Sequence, residues 1–246
     1  MENEFSFKHV DLEGMQTLEA VSAAPRLNNW MYQTISGNLD GRVLEIGSGI
    51  GNISAQFLKD KRKLVLSDIR DNYCAFLKAR FESEESLEEI IKLDLVHPEF
   101  DQKYANLLGT FDGLFALNVV EHIKDDVLAI ANAKKLLRTG GRLVILVPAY
   151  QALYNSLDKA LEHYRRYNKT SLSVLFETND LKIERKYHFN FMGIFGWFVS
   201  GKLQKNETLP TGQMKLFNSL VPASKIIDKI TLNSIGLSVV VEGLKV

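Results

Sequence analysis

The stretch Glu45-Ile46-Gly47-Ser48-Gly49-Ile50-Gly51 is the part of this 246-residue chain whose residue types point most directly to chemistry. Glycines at alternate positions let a backbone approach a bound molecule closely, because no Cβ intrudes. A helix that follows adds its free N–H groups to the same space. Two carboxylates, Asp68 and Asp94, come later, each at the end of a short apolar run. At such a strand end a carboxylate can accept from both ribose hydroxyls of an adenosine, or from an exocyclic amine such as adenine N6. Taken singly, each also reads as a surface carboxylate. The spacing is G-x-G-x-G rather than the dinucleotide fingerprint G-x-G-x-x-G, with Asn52 where that third glycine would stand.

Five histidines are present, His9, His97, His122, His163 and His188. His122 stands in Val119-Val120-Glu121-His122-Ile123, just past a fourth apolar run, and is a candidate base or pocket-shaping residue. His163 opens a dense cluster, His163-Tyr164-Arg165-Arg166-Tyr167. With Tyr154 it reads either as an anion-binding or sugar-binding edge for an acceptor or as a solvated helix end with packed tyrosines. No HExxH, CxxC or calcium-loop spacing occurs, so no metal is expected.

The elements that must position these groups alternate. Strands are expected at Arg42–Ile46, Lys63–Ser67, Ile90–Leu95, Phe111–Asn118 and Arg142–Val147. Between them lie helical patterns: one opening at Ile53 with Asn52 or Ser54 as cap, one capped by Asp71 with Tyr73, Leu77 and Phe81 on one face, and one from Asp125 to about Leu137 that stops at Thr139-Gly140-Gly141. This alternation implies crossovers and a parallel sheet. Thr170 or Ser171 is expected to cap a short helix, and Lys182–Phe189 and Leu237–Leu244 to form two more strands. The segment between those strands is too long for a hairpin loop. It opens with Phe191, Met192, Phe195, Trp197 and Phe198, which must pack in the core, wall a ligand or meet a partner or lipid surface.

Bulk properties narrow the class. Lys plus Arg and Asp plus Glu are 30 each, a formal net charge of zero, which weighs against nucleic-acid binding as the main task. A hydrophobic share of 46% suffices for a core, and Cys74, the sole cysteine, rules out an internal disulfide. The first residues lack a signal-peptide pattern, and no apolar run reaches the length of about 18 residues that a membrane span needs. A cytoplasmic location is therefore expected.

As an ordered set, VLEIGSGIGNIS, LVLSDI, KLDL and FALNVVEHI, spread over Arg42 to Pro148, resemble the signature motifs of class I S-adenosylmethionine-dependent methyltransferases, specifically the bacterial type-11/type-12-like enzymes of small molecules or glycans. The resemblance implies an α/β fold: a Rossmann-like doubly wound sheet, mostly parallel with an antiparallel C-terminal strand, plus a helical cap insertion. It implies one domain over residues 1–246, with cofactor-covering helices in 1–40, a cofactor-binding core in 41–148 and substrate-side caps in 149–181 and 190–234. By the same resemblance Gly47, Ser48, Gly49 and Gly51 wrap the methionine part, and Glu45 supports the loop. Asp68 holds the ribose and Asp94 the adenine amine, with Ile69 and Leu95 beside them. Asn118 and Val119 flank the cofactor, and Asn29, Trp30 and Tyr32 close over it. His122 and His163 are the candidate catalytic residues; Tyr154, Tyr164, Arg165, Arg166 and Trp197 are the candidate acceptor-binding residues. The implied cofactor is S-adenosyl-L-methionine, with S-adenosyl-L-homocysteine as product, and the partners are a small-molecule, glycan or lipid-linked acceptor, with a homodimer left open. A catalytically silent cofactor-binding protein and a nicotinamide-dependent oxidoreductase are the alternatives, the latter disfavoured by GSGIG and Asp94.

Overall fold

The computed structural model describes residues 11–246, so His9 lies outside the described residues. Two helices lead in, α1 (Leu12–Ser22) and α2 (Pro25–Ile35). Strand β1 (Val43–Ile46) follows, then α3 (Ser54–Lys59), β2 (Leu64–Asp68), α4 (Asp71–Phe81) and β3 (Leu87–Lys92). After a short α5 (Phe100–Lys103) come β4 (Phe111–Leu117), α6 (Asp126–Leu136) and β5 (Leu137–Pro148). The remainder is α7 (Ser156–Ala160), α8 (Lys169–Thr178), β6 (Leu181–Phe189), α9 (Gly193–Trp197), α10 (Thr211–Ile230) and β7 (Ser238–Lys245).

The seven strands form one sheet in the order β3-β2-β1-β4-β5-β7-β6. β1 pairs in parallel with β2 on one side and β4 on the other, aligning Glu45 with Leu66 and with Phe115. β7 runs antiparallel between β5 and β6, the arrangement that the resemblance implied. Every residue of β1 and β2 is buried, which explains their unbroken apolar sequence: each is covered on both faces. Alternate residues feed two separate cores. Leu114, Ala116, Leu143 and Ile145 face α6 and α8, whereas Phe115, Val144 and Leu146 face α2, α3 and α10.

Several local expectations shift. β3, an edge strand with no fully buried residue, ends three residues before the expected Leu95; Leu93 and Leu95 are buried in the turn after it. β5 begins at Leu137, directly after α6, so Gly140, at φ +79°, sits in the irregular start of the strand rather than capping a helix. α8 is capped by Asn168, whose side chain accepts from Ser171 N while the Ser171 hydroxyl accepts from Asn168 N; Thr170 and Ser171 lie inside the helix. Neither Asn52 nor Ser54 caps α3. Asn52 donates to Leu18 O at 3.0 Å and Ser54 donates to the Glu45 carboxylate. Asp71 is the first residue of α4 rather than its cap, and pairs with Lys92 at 2.6 Å.

The segment between β6 and β7 folds onto α2. Its 20-residue helix α10 buries Met214 and Val221 there. Asn218 accepts from Arg26 N at 2.7 Å and Lys225 donates to Gln33 at 2.9 Å. Among the described residues no helix is long and apolar enough to cross a membrane.

Phe57 is the keystone of the α2–α3 side. It is fully buried and stacks on Phe115 at 4.8 Å, with Tyr32 edge-on at 4.8 Å. Phe57→Ala removes these contacts and leaves a cavity, so the urea unfolding midpoint should fall by the equivalent of about 3–5 kcal/mol.

Candidate active site

At the carboxyl ends of β1, β2 and β4 the sheet opens into a cavity of about 1000 Å³. The glycine loop forms its floor. Gly47, Gly49 and Gly51 all have positive φ (+70°, +54° and +77°), a conformation side chains rarely adopt. Their surroundings differ. Gly47 and Gly49 line the cavity together with Ser48. Gly51 does not: a Cβ there would lie 2.3 Å from the Phe81 ring and 3.0 Å from Leu77, so this glycine lets α4 approach the loop instead of wrapping a ligand.

Glu45 anchors the loop from below. Its carboxyl accepts from Ser54, and its carbonyl accepts from the Ser67 hydroxyl at 2.7 Å. Burial pushes the Glu45 carboxyl up to about 8, against the lowering effect of Ser54 and Ser48, so it is mostly protonated at neutral pH. Asp68, at the end of β2, accepts from Gly49 N and from Arg70 N, each at 3.0 Å. Burial raises its pKa, and these N–H groups oppose the rise. Each oxygen keeps acceptor capacity toward the cavity.

Asp94 lies in the turn past β3. Its carboxylate accepts from Val96 N at 2.9 Å while its own N–H donates to the Tyr104 hydroxyl at 2.9 Å, which fixes it on the cavity wall. Ile69, Leu95, Asn118 and Val119 line the cavity, Asn118 with φ +53°.

From the N-terminal helices the lining residues are not the expected ones. Trp30 is packed on Phe189 at 4.4 Å, and Tyr32 donates to Asp60; both are buried away from the cavity, and Asn29 also does not line it. The α2 face turned inward carries Leu27, Asn28 and Met31, and α1 contributes Thr17 and Leu18. Thr17 Oγ1, Asn28 Oδ1 and Tyr73 Oη are buried without a hydrogen-bond partner among the described residues, and all three residues border the cavity. Nothing in the local sequence singles out Thr17 or Asn28. Tyr73 was legible only as part of a helix face.

The far end is built by the turn after β4 and by residues 155–167. His122 is open to the cavity but enclosed by protein elsewhere, and desolvation holds its pKa well below the ordinary histidine value. The His163 ring meets it edge-on at 4.6 Å. Asp158, fully buried, ties this region together: it accepts from Arg166 Nε at 2.7 Å and from Asn155 N at 2.9 Å, and holds His163 Nδ1 at 2.8 Å. The pull of Arg166 and His163 keeps the Asp158 carboxyl below its ordinary pKa despite burial. His163 itself is held low by desolvation, which outweighs Asp158.

The expected pair of arginines therefore does not form one edge of the cavity. Arg166 reaches the cavity, but its charge is met by Asp158, and its plane lies over the Trp197 ring at 4.6 Å. Arg165 points away, paired with Asp126 at 2.6 Å and donating to Lys124 O. Tyr154 supports the cluster by donating to His163 O at 2.7 Å rather than lining the cavity, whereas Tyr164 and Trp197 do line it. Met31, Leu209, Met214, Phe217 and Phe189 complete an apolar wall. Phe195 and Phe198 face outward and are exposed.

A family model described as a methyltransferase domain matches residues 23–186. The fold is shared with a SAM-dependent methyltransferase from Archaeoglobus fulgidus, at 16% identity and a TM-score of 0.58 over 89% of this chain and 93% of that one. It is shared also with the geranyl diphosphate C-methyltransferase of Streptomyces coelicolor A3(2), solved with Mg2+, geranyl-S-thiolodiphosphate and S-adenosyl-L-homocysteine, at 13% identity and a TM-score of 0.61 over 90% and 77%. A protein of Methanococcoides burtonii, named as a probable ribosomal RNA small subunit methyltransferase A, is 33% identical over 84 residues. That match spans 32% of this chain and 30% of the relative's length.

The Glu45 carboxyl gives the fold a signature in pH. It titrates near 4.5 in the unfolded chain and near 8 in the fold. Between those values the folded state holds a proton that the unfolded state has released, so stability falls as pH rises through the window. Glu45→Gln, which keeps the neutral shape, should flatten that part of the stability curve. Parallel urea titrations from pH 5 to pH 9 check it, and identical slopes for both proteins refute it.

Proposed function

Because the chain belongs to the methyltransferase domain family, whose cofactor is S-adenosylmethionine, we propose that it transfers the methyl group of that cofactor to a small acceptor with an apolar body, glycan- or lipid-linked molecules included. One observation carries the reading: a single cavity runs from the glycine loop, past His122 and His163, to the apolar wall of Trp197, Met214 and Phe217. It is large enough for two ligands end to end. The likeness to an RNA-acting relative spans only 32% of this chain.

The cofactor end fits a polar adenosyl group joined to an amino acid. In this reading Asp68 accepts from the ribose hydroxyls and Asp94 from the adenine amine. Gly47, Ser48 and Gly49 admit the methionine portion. The unpartnered atoms of Thr17, Asn28 and Tyr73 supply further hydrogen bonds. The cofactor brings a methyl group already activated by a sulfonium. What the chain adds is alignment of the acceptor and exclusion of water, effects that together are worth about 7–11 kcal/mol in favourable systems. The cap segments, residues 149–181 and 190–234, close the outer half. His122 and His163, both neutral, stand where the acceptor's reacting group arrives.

S-adenosylhomocysteine should bind one to one and raise the melting temperature, since it binds only the fold. Asp68→Ala should weaken that binding about tenfold to a hundredfold, the worth of one charge-assisted hydrogen bond. Calorimetry on both proteins is the check, and equal affinities would remove Asp68 from the ribose site. Trp197→Ala separates the acceptor half: methyl transfer should fall while S-adenosylhomocysteine affinity holds. Transfer is read from a panel of apolar acceptors, and an equally active variant would leave the cap without a role in acceptor binding.

A further inference from the structure

Glu121 is the least explained group in the molecule. It is fully buried in the turn after β4, yet neither carboxylate oxygen has a hydrogen-bond partner among the described residues. Buried polar atoms are nearly always satisfied, and a bare exception calls for a water, an ion or a functional reason. Arg166, the buried cation whose charge acts on it, gives its Nε to Asp158 and its Nη1 to Ala149 O.

Two imidazoles converge on the same spot. One donor atom from each of Glu121, His122 and His163 can be chosen so that all three lie within 4.8 Å of one another. Ligands at about 2.0–2.2 Å from a common ion stand closer together than that, so an ion held there would draw the three side chains inward. His163 is already oriented. Its Nδ1 is held by Asp158 at 2.8 Å, leaving Nε2 to bind, the carboxylate–histidine pairing that commonly stands behind metal-bound imidazole. Glu121 approaches from behind, whereas His122 and His163 border the cavity.

We propose that Glu121, His122 and His163 form a site for a divalent transition cation of the zinc class, with its open coordination side facing the acceptor half of the cavity. Two nitrogens and one oxygen suit zinc, cobalt or iron(II) rather than magnesium, which prefers an all-oxygen shell. The open side gives the ion a place for an oxygen of the acceptor; that role, unlike the site itself, rests on the methyltransferase reading. Contiguous motifs do not reveal such a site, because Glu121 and His122 come from the turn after β4 and His163 from the turn after α7.

The test uses the untagged full chain, stripped with chelator and titrated with Co2+, whose visible bands report imidazole ligation. One Co2+ per chain, displaced by Zn2+ and lost in both Glu121→Gln and His122→Asn, is the expected result. Glu121→Gln keeps the buried shape without charge, and His122→Asn alters a cavity-facing ring, so thermal melts should show both variants folded. No Co2+ binding, as when a water satisfies Glu121, overturns the proposal. So does Co2+ binding that both variants retain, which places the ion elsewhere. S-adenosylhomocysteine calorimetry on the same samples keeps the two readings apart: cofactor binding without Co2+ removes the metal site alone, and Co2+ binding without cofactor removes the methyltransferase reading alone.

Discussion

Parallel pairing on both sides of β1 is the constraint from which the rest follows. A parallel pair cannot be closed by a tight turn, so each strand must be followed by a crossover that carries the chain back. The chain leaves β1 toward β2 and β3 and later returns to β4 on the other flank. The connections after β1 and β4 therefore depart in opposite directions and leave a crevice between them. Glu45, Asp68, Asn118 and His122 meet there although they are far apart in sequence. None needs to be brought by a long loop. Each stands at or just past the end of a strand whose register is fixed by burial on both faces.

The two ends of the crevice are stiffened differently. At the glycine loop the hydrogen bonds tie β1 and β2 to each other and to the turn and helix after β1: Ser54 to Glu45, Ser67 to Glu45, Gly49 to Asp68. At the far end one carboxylate, Asp158, organises Asn155, His163 and Arg166, and through Arg166 the face of Trp197. A buried ion pair of this kind contributes little net stability, since desolvation offsets attraction. Its effect is on geometry: it gives His163 one orientation and keeps Arg166 from approaching an anionic ligand freely.

What could be read in the sequence divides along physical lines. β1, β2 and β4 were legible because burial on both faces demands continuous apolar residues, and Asp68 because it follows such a run directly. Asp94 was legible as a candidate, although its strand was drawn too far along: Leu93 and Leu95 are apolar for a turn's packing, not a strand's. The cap of α8 was misread because Asn168 and Ser171 bond reciprocally, and either end of that pair looks like a cap. The resemblance implied that Trp30 and Tyr32 close over the cofactor, yet their bulk packs them into the core beside α2. Their small neighbour Asn28 faces the cavity, and so does Thr17, because a helix's inward face is decided by what packs on it. Arg165 and Arg166 are adjacent and alike in sequence, but one faces Asp126 and the other Asp158, a distinction that only tertiary contacts draw.

The placement of β7 has a bearing on how the chain is assembled. β6 touches the sheet only through β7, which is also the last strand of the seven to emerge during synthesis. Five parallel strands can pair as they are made, each on a neighbour already present. β6 must wait, along with α9 and α10 that follow it, until Ser238–Lys245 slides in antiparallel beside β5. The half of the crevice formed by α9 and α10 is thus closed late and by non-local pairing, the slow kind. Until then the apolar edge of β5 is an open template for another strand. Val239, Val240 and Val241, all fully buried, are the residues that end this exposure.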